Sequence, residues 1–456
     1  MYKKILIASL ALIAGLASCK KDDPTPSPNP PSGLTIDGVA STLEFYQLDT
    51  AHLSVAGVAK DAAAKAVWAV NGAKAAEGAT FDFTTAHPGK YEVTLTVDGK
   101  SAKHTYTVAP RFSEGAFLLN EGNFGNETGS LTYIHPSKML VIDQAYYRVN
   151  GTKLGNVCQD LAFGNDQVYI LSQLGPKNGG EGLLTIASSN TLEKVKVYND
   201  EALAQSTPTH IAVLRDHIYI RTERDGILRG SSEGGFTPIT GTKKALKQRM
   251  AQIGERLFAL TSDSKVLMIQ GTQVVRELDL SPAKPSGIAV SHDGKLWVST
   301  TSPNAILKVD PTPDNFVALD THILDKSISA TGPEIWQRTT SSAFFAHGDK
   351  LYFTGQSSVI YCHDFATSKT SQVIDVKTID GVGTSANMYY NSLGVDPATG
   401  ELYYAAFEGY STYNKKNVTM VLKADGTKLL LKEKVNSFPA GFYFIPNAAS
   451  RTGANR

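Results

Sequence analysis

NSFPAGFYFIPN, residues 436–447, stands nine residues from the end of the 456-residue sequence. A Pro, a small residue and a Gly lead into Phe442-Tyr443-Phe444-Ile445, the pattern of a strand opening after a turn. A β-unit begun here has no room to be finished, so this strand must serve a unit whose other strands lie elsewhere. The same opening occurs twice upstream, as PSGIAVSHD at 285–293 and PTHIAVLRD at 208–216.

Working outward from these openings, an aliphatic or small residue, an aromatic, a short apolar run and polar turn residues recur seven times. The instances are AFLLNEG (116–122), VYILSQL (168–174), IYIRTER (218–224), LFALTSD (257–263), LWVSTTS (296–302), LYFTGQS (351–357) and LYYAAFE (402–408). Their aromatics, Phe117, Tyr169, Tyr219, Phe258, Trp297, Tyr352 and Tyr403, are spaced by 52, 50, 39, 39, 55 and 51 residues. Six instances follow another apolar strand and a tight polar turn, and each is followed by a third strand and often a fourth. Four short antiparallel strands at this period are the signature of a β-propeller blade. The first instance lacks a preceding strand, and the C-terminal segment supplies it. The expected fold is all-β, with a seven-bladed propeller over 110–448 closed by the C-terminal strand, leaving no open seam between first and last blades. Residues 449–456 are a tail.

Upstream, residues 34–109 read as a smaller β-unit. In GKYEVTLTVDGKSAKHTYTV (89–108), Tyr91, Val93, Leu95 and Val97 alternate, Asp98-Gly99 turns, and alternation resumes. Trp68 lies in a strand ending at Asn71-Gly72. A small antiparallel sandwich is expected, resembling PKD-type immunoglobulin-like modules, which carry a Trp strand and a late GKYEVTLTV-like strand. Residues 24–33, PTPSPNPPSG, hold five prolines and form the extended part of a linker over 19–33.

Residues 1–18 read as a signal peptide: Lys3-Lys4, then an apolar stretch from Ile5 to Leu16 too short to span a bilayer. Leu16-Ala17-Ser18-Cys19 looks like a bacterial lipobox, with Cys19 lipidated and the chain anchored through its acyl groups. Lys21-Asp22-Asp23 resembles the surface-export signal of Bacteroidetes lipoproteins. Asp49-Thr50-Ala51 resembles an O-glycosylation acceptor of the same phylum.

Composition narrows the function. The net charge of +1 offers no field to recruit nucleic acid. Three cysteines, Cys19, Cys158 and Cys362, make neither a disulfide framework nor a CxxC zinc site. No HExxH, GxSxG or P-loop occurs, and GVGTSA at 381–386 reads as a loop. Cys362, His363 and Asp364 alternate sides of one strand and cannot converge on one atom. No catalytic residue, metal or cofactor is expected.

Propellers bind through the loops on one face. Here those loops and the lead-ins to the inner strands are rich in amides and aromatics, with a few arginines. The candidate ligand contacts are Asn123, Phe124, Asn126, Gln159, Gln173, His210, Arg249, Trp336, Arg338, Tyr389, Tyr390 and Tyr410. Flat aromatic surface beside neutral hydrogen-bonding groups suits a large polar, mostly uncharged organic ligand or a protein partner.

FLLNEGNFGNETGSLTYIHP (117–136) resembles the opening blade of YncE-like Bacteroidetes propeller lipoproteins, the surface-layer-like or DUF5074 group. The resemblance covers roughly 110–446. It includes the BtuG-type cobalamin-capture lipoproteins, which hold a corrinoid on one propeller face above a TonB-dependent transporter. The resemblance implies a cell-surface lipoprotein of the outer membrane that captures a corrinoid-like nutrient and delivers it to such a transporter. A structural or adhesive surface protein using the propeller for protein or glycan docking is the alternative; a lactonase- or lyase-like propeller enzyme is a third class.

Overall fold

The computed structural model describes residues 33–39, 44–325, 328, 330, 334–335, 338–339, 344–355, 357–387 and 393–446. Cys19 and the expected signal, linker and tail segments therefore lie outside the described residues, apart from Gly33. Of the described residues, 33–39, 51–83 and 91–106 form one compact unit, and 44–50, 84–90 and 107–446 form the other. The division differs from a single boundary at 109/110. Within the second unit, the Gln47 amide donates to the carbonyls of Ala86 (2.6 Å) and Thr191 (3.1 Å) and accepts from the Arg111 N–H. These bonds group the segments around residues 47 and 86 with the later chain.

The N-terminal strands build two sheets. One is ordered Thr35–Asp37, Thr50–Ala56, Thr80–Thr84; the other Phe45–Tyr46, Lys100–Ala109, Gly89–Val97, Val67–Val70, Ala73–Glu77. Positive φ at Asn71-Gly72 and Asp98-Gly99 makes the two expected hairpin turns. The pairing is not wholly antiparallel: Phe45–Tyr46 runs parallel to Val108–Ala109. Trp68 is buried and its indole N–H donates to the Gly78 carbonyl at 2.9 Å.

From residue 116 on, the described residues contain seven four-stranded antiparallel sheets. Their first strands are Pro439–Phe444, Asn156–Gly164, Pro208–Leu214, Ala251–Ile253, Pro285–Val290, Phe344–His347 and Leu393–Val395. The C-terminal strand pairs with Ala116–Asn120 and completes the first sheet, as the opening motif requires. The three aligned openings share a detail. Pro439, Pro285 and Pro208 each start a strand, and each is followed by a bulge before Gly441, Gly287 or His210. Proline lacks the N–H a regular ladder would use, so a strand start beside a bulge accommodates it.

Apolar clusters join each sheet to the next, and the seventh sheet to the first. The seven repeated aromatics fall one in each cluster. Phe117 lies between sheets one and two, Tyr169 between two and three, and Tyr219 between three and four. Phe258, Trp297, Tyr352 and Tyr403 continue the series back to sheet one. All seven are buried. The aromatic period in the sequence is thus the period of inter-sheet packing. Cys158 and Cys362 are buried free thiols, and residues Gly383–Ala386 of the GVGTSA segment form a short 3-10 turn rather than an irregular loop.

Candidate functional site

Two polar regions stand out. The first lies where the first strands converge. Asp160, buried on sheet two, accepts from the Tyr443 hydroxyl of sheet one (2.6 Å) and the Ile211 N–H of sheet three (2.9 Å). Arg249, leading into sheet four, places Nε 3.3 Å from the same carboxylate and donates through Nη2 to the Ala440 carbonyl at 3.3 Å. Its guanidinium stacks 4.3 Å from the Tyr443 ring centroid and 5.9 Å from that of Phe345 on sheet six. Burial pushes the Asp160 carboxyl up, opposed by Arg249, the Tyr443 hydroxyl and backbone N–H groups. A Cβ on Gly441 (φ +141°) would sit 1.8 Å from Arg249 Nη2, so this glycine makes room for the guanidinium. Towards the ends of the first strands this polar knot adjoins an apolar cavity of about 350 Å³ touching Met250, Ile288, Phe345, Val395 and Phe444.

The second region is a groove of about 410 Å³ among sheets seven, one and two. It is built by the loop after Ala116–Asn120, the helix Ala145–Asn150, the turn at 177–179, the loop after Leu402–Phe407 and the entry into Pro439–Phe444. Asn126, Gln144, Asn178, Asn414 and Asn436 line it with Tyr146, Tyr147, Glu127, Asp143, Lys153 and Lys434. Glu127 braces it, accepting from the Tyr413 hydroxyl (2.5 Å) and the Ser437 hydroxyl (3.3 Å). Asn178 is fixed by donation to the Gly125 carbonyl at 2.7 Å. Burial pushes the Asp143 carboxyl up, against bonds from the Gln144 N–H and Thr132 and the charge of Arg148.

Other groups in the groove remain available. The side chains of Gln144, Tyr147, Lys153, Asn414 and Lys434 make no hydrogen bond or ion pair among the described residues. The buried Asn436 Oδ1 likewise accepts none there, although its Nδ2 donates to the Val418 carbonyl and to Thr419. Tyr413 packs against Phe438 at 4.6 Å with the rings tilted by 34°, and Phe438 also carries Tyr410 at 5.7 Å with the rings 28° apart. Tyr410 and Tyr147 are each 45% exposed and Phe124 62%. The groove is therefore flanked by exposed aromatic surface.

The candidate contacts separate accordingly. Asn126 lines the groove, Asn123 binds Glu127 through its backbone N–H at 3.3 Å, and Phe124 and Tyr410 lie exposed nearby. Gln159, Gln173 and His210, expected in loops or lead-ins, lie inside strands and are buried: the strands holding Gln159 and His210 begin earlier than the pattern suggests, and the strand holding Gln173 runs on to Gly175. Gln159 donates to Glu121 Oε1 at 2.5 Å and His210 Nδ1 lies 3.2 Å from Thr209 Oγ1. Arg249 belongs to the central knot. Trp336, Tyr389 and Tyr390 lie outside the described residues, and Arg338 falls in a two-residue strand pairing with Ile335. Gln144, Tyr147, Lys153 and Asn436 were missed, since they lie in connections that the repeat does not mark. Among the described residues no cluster of three His, Cys, Asp or Glu side chains could hold a metal ion.

A family model described as a domain of unknown function, DUF5074, matches residues 114–446. The chain belongs to the DUF5074 family. No curated protein matches this DUF5074 chain by sequence. Its fold is similar to a solved quinonprotein alcohol dehydrogenase-like protein from Bacteroides thetaiotaomicron. The TM-score is 0.58 at 16% identity, over 90% of this chain and 99% of that one. Virginiamycin B lyase from Staphylococcus aureus matches with a TM-score of 0.43 at 13% identity, over 63% of this chain and 90% of the lyase. The WD40 β-propeller domain of Doa1 also gives 0.43, at 10% identity, over 60% and 82%. At 16% identity the first likeness concerns the fold alone, and the DUF5074 region is an all-β structure of four-stranded antiparallel sheets.

Proposed function

We propose that this DUF5074 protein is a non-catalytic receptor for a polar, mostly uncharged organic ligand of corrinoid type, bound in the groove among sheets seven, one and two. In this reading the seven sheets are the blades of one closed propeller, and the N-terminal sheets are an Ig/PKD-like module lifting it from a lipid anchor on Cys19. The protein sits on the cell surface at the outer membrane and passes its ligand to a TonB-dependent transporter.

The observation that carries the reading is the set of amides, a tyrosine and a buried carbonyl oxygen left available in the groove. Amides pair in both directions with the peripheral carboxamides of a corrin ring and do not titrate near neutral pH. A corrinoid is larger than 410 Å³; the remainder would lie over Phe124 and Tyr410, whose rings offer stacking area. A leaving position for an acyl or phosphoryl group would call instead for a paired nucleophile and base. The exposed aromatics also favour the second reading, docking of a glycan or protein.

Calorimetric titration of the chain from Lys20 onward with cyanocobalamin tests the first reading. Saturable one-to-one binding at nanomolar affinity is expected. No heat, together with no retention of the red ligand on a sizing column, would remove the corrinoid reading and leave the docking one.

A further inference from the structure

The stretch GTKKALKQRM (241–250) carries four cations in seven residues, Lys243, Lys244, Lys247 and Arg249. It connects sheet three to the first strand of sheet four. Its first three lysines line a cavity of about 520 Å³ with Arg221 and Arg224 opposite. Among the described residues Glu223 is the one carboxylate in the lining, and Asp263 reaches Lys244 from beside it at 3.0 Å. Among the described residues five cations thus stand around two carboxylates, and Arg224 and Lys243 are paired with neither.

The deepest of these cations is held in place. The Arg221 side chain is 8% exposed. Its Nε and Nη2 donate to the Ala245 carbonyl at 3.2 and 2.9 Å, Nη1 donates to Thr209 Oγ1 at 3.2 Å, and Glu223 pairs with it at 3.1 Å. Arg224 and Lys243, both exposed, make no ion pair among the described residues. The surplus charge is felt nearby. Burial first, then Arg221, Lys247 and Arg249, hold the His210 imidazole well below its ordinary 6.5.

We infer that this cavity is a second binding site, for a small polyanion carrying at least two phosphate or sulfate groups. Concentrated like charge in a partly enclosed space repels itself, and an anion relieves that repulsion while excluding water from the pairs it makes. The fixed guanidinium at the base keeps one Nη2 N–H and its charge for one tetrahedral oxyanion, and Arg224 with the flexible ammonium groups at the rim supplies the donors and point charges for another. A single carboxylate would leave most of the surplus uncompensated. Both the cavity and the amide groove open where the sheets are entered and where second and third strands turn, so one face would carry two sites of different chemistry.

The test uses the chain from Lys20 onward at 150 mM salt, titrated separately with pyrophosphate and with a multiply sulfated disaccharide. Saturable one-to-one binding of at least one of them is expected, weakening as salt rises. Binding of pyrophosphate alone assigns phosphate chemistry, binding of the disaccharide alone assigns sulfated sugar, and both outcomes support the site. The double variant Arg224→Ala/Lys243→Ala changes exposed side chains only and should weaken binding at least tenfold. No saturable binding of either probe up to about 1 mM, or unchanged affinity in the double variant, would overturn the site. Cyanocobalamin titration of the same variant is unaffected in this account, so failure here is separate from failure of the groove.

Discussion

The central knot and the groove are built from the same residue classes, yet they differ in what their polar atoms are doing. At the centre, Asp160, Arg249 and Tyr443 come from different sheets and are bonded to one another and to backbone groups. In the groove, Glu127 and Asn178 are braced while Gln144, Tyr147, Asn414 and Asn436 Oδ1 keep capacity. A buried polar group whose bonds are all made inside the protein fixes the assembly of sheets; one held in place with bonds still to make can receive a ligand. Polarity alone therefore did not distinguish the two regions.

The comparison can be broken in several ways. Ending the chain after Ser437 removes the strand that completes sheet one and takes Gly441 and Tyr443 from the knot. The account expects a stability loss above about 5 kcal/mol, enough to abolish a cooperative urea transition in a typical domain. A sharp transition retained in this truncation would contradict it. Arg249→Met leaves the Asp160 carboxylate buried without its ion partner and should cost about 3–5 kcal/mol in the same assay. Gly441→Ala should act in the same direction, because its new Cβ displaces the guanidinium.

A smaller effect concerns pH. With its folded pKa depressed, His210 stays neutral in the native state and protonates in the unfolded one. Its contribution is complete above about 6.5 and is lost as pH falls below that value. Urea midpoints at pH 7 and pH 5 should therefore fall further for the wild type than for His210→Gln. The smallest effect on stability belongs to the groove. Asn126→Ala/Asn414→Ala should change the unfolding free energy by no more than about 0.5 kcal/mol, while lowering cyanocobalamin affinity tenfold or more.

The fold was legible because packing repeats locally. Phe117, Tyr169, Tyr219, Phe258, Trp297, Tyr352 and Tyr403 each mark one inter-sheet core, and the Pro-led openings mark strands that share one bulge. The loops contributing Asn126 and Asn414 could be read from the same repeat. The knot could not be read, because it joins residues of four sheets through geometry that no sequence spacing records. For the same reason Gln159, Gln173 and His210 looked like rim residues: Gln159 and His210 lie where a strand begins with a bulge, and Gln173 lies at the end of the strand opposite such a bulge, and all three are buried.

The central claim is that the groove receives the ligand and the knot holds the fold. The most direct test measures urea midpoint and cyanocobalamin affinity together for Asn126→Ala/Asn414→Ala and for Arg249→Met. The account predicts that the first keeps its midpoint and loses affinity, and that the second loses midpoint but binds normally while folded. Loss of affinity in the Arg249 variant with a normal midpoint, or unchanged affinity in the groove variant, would contradict it.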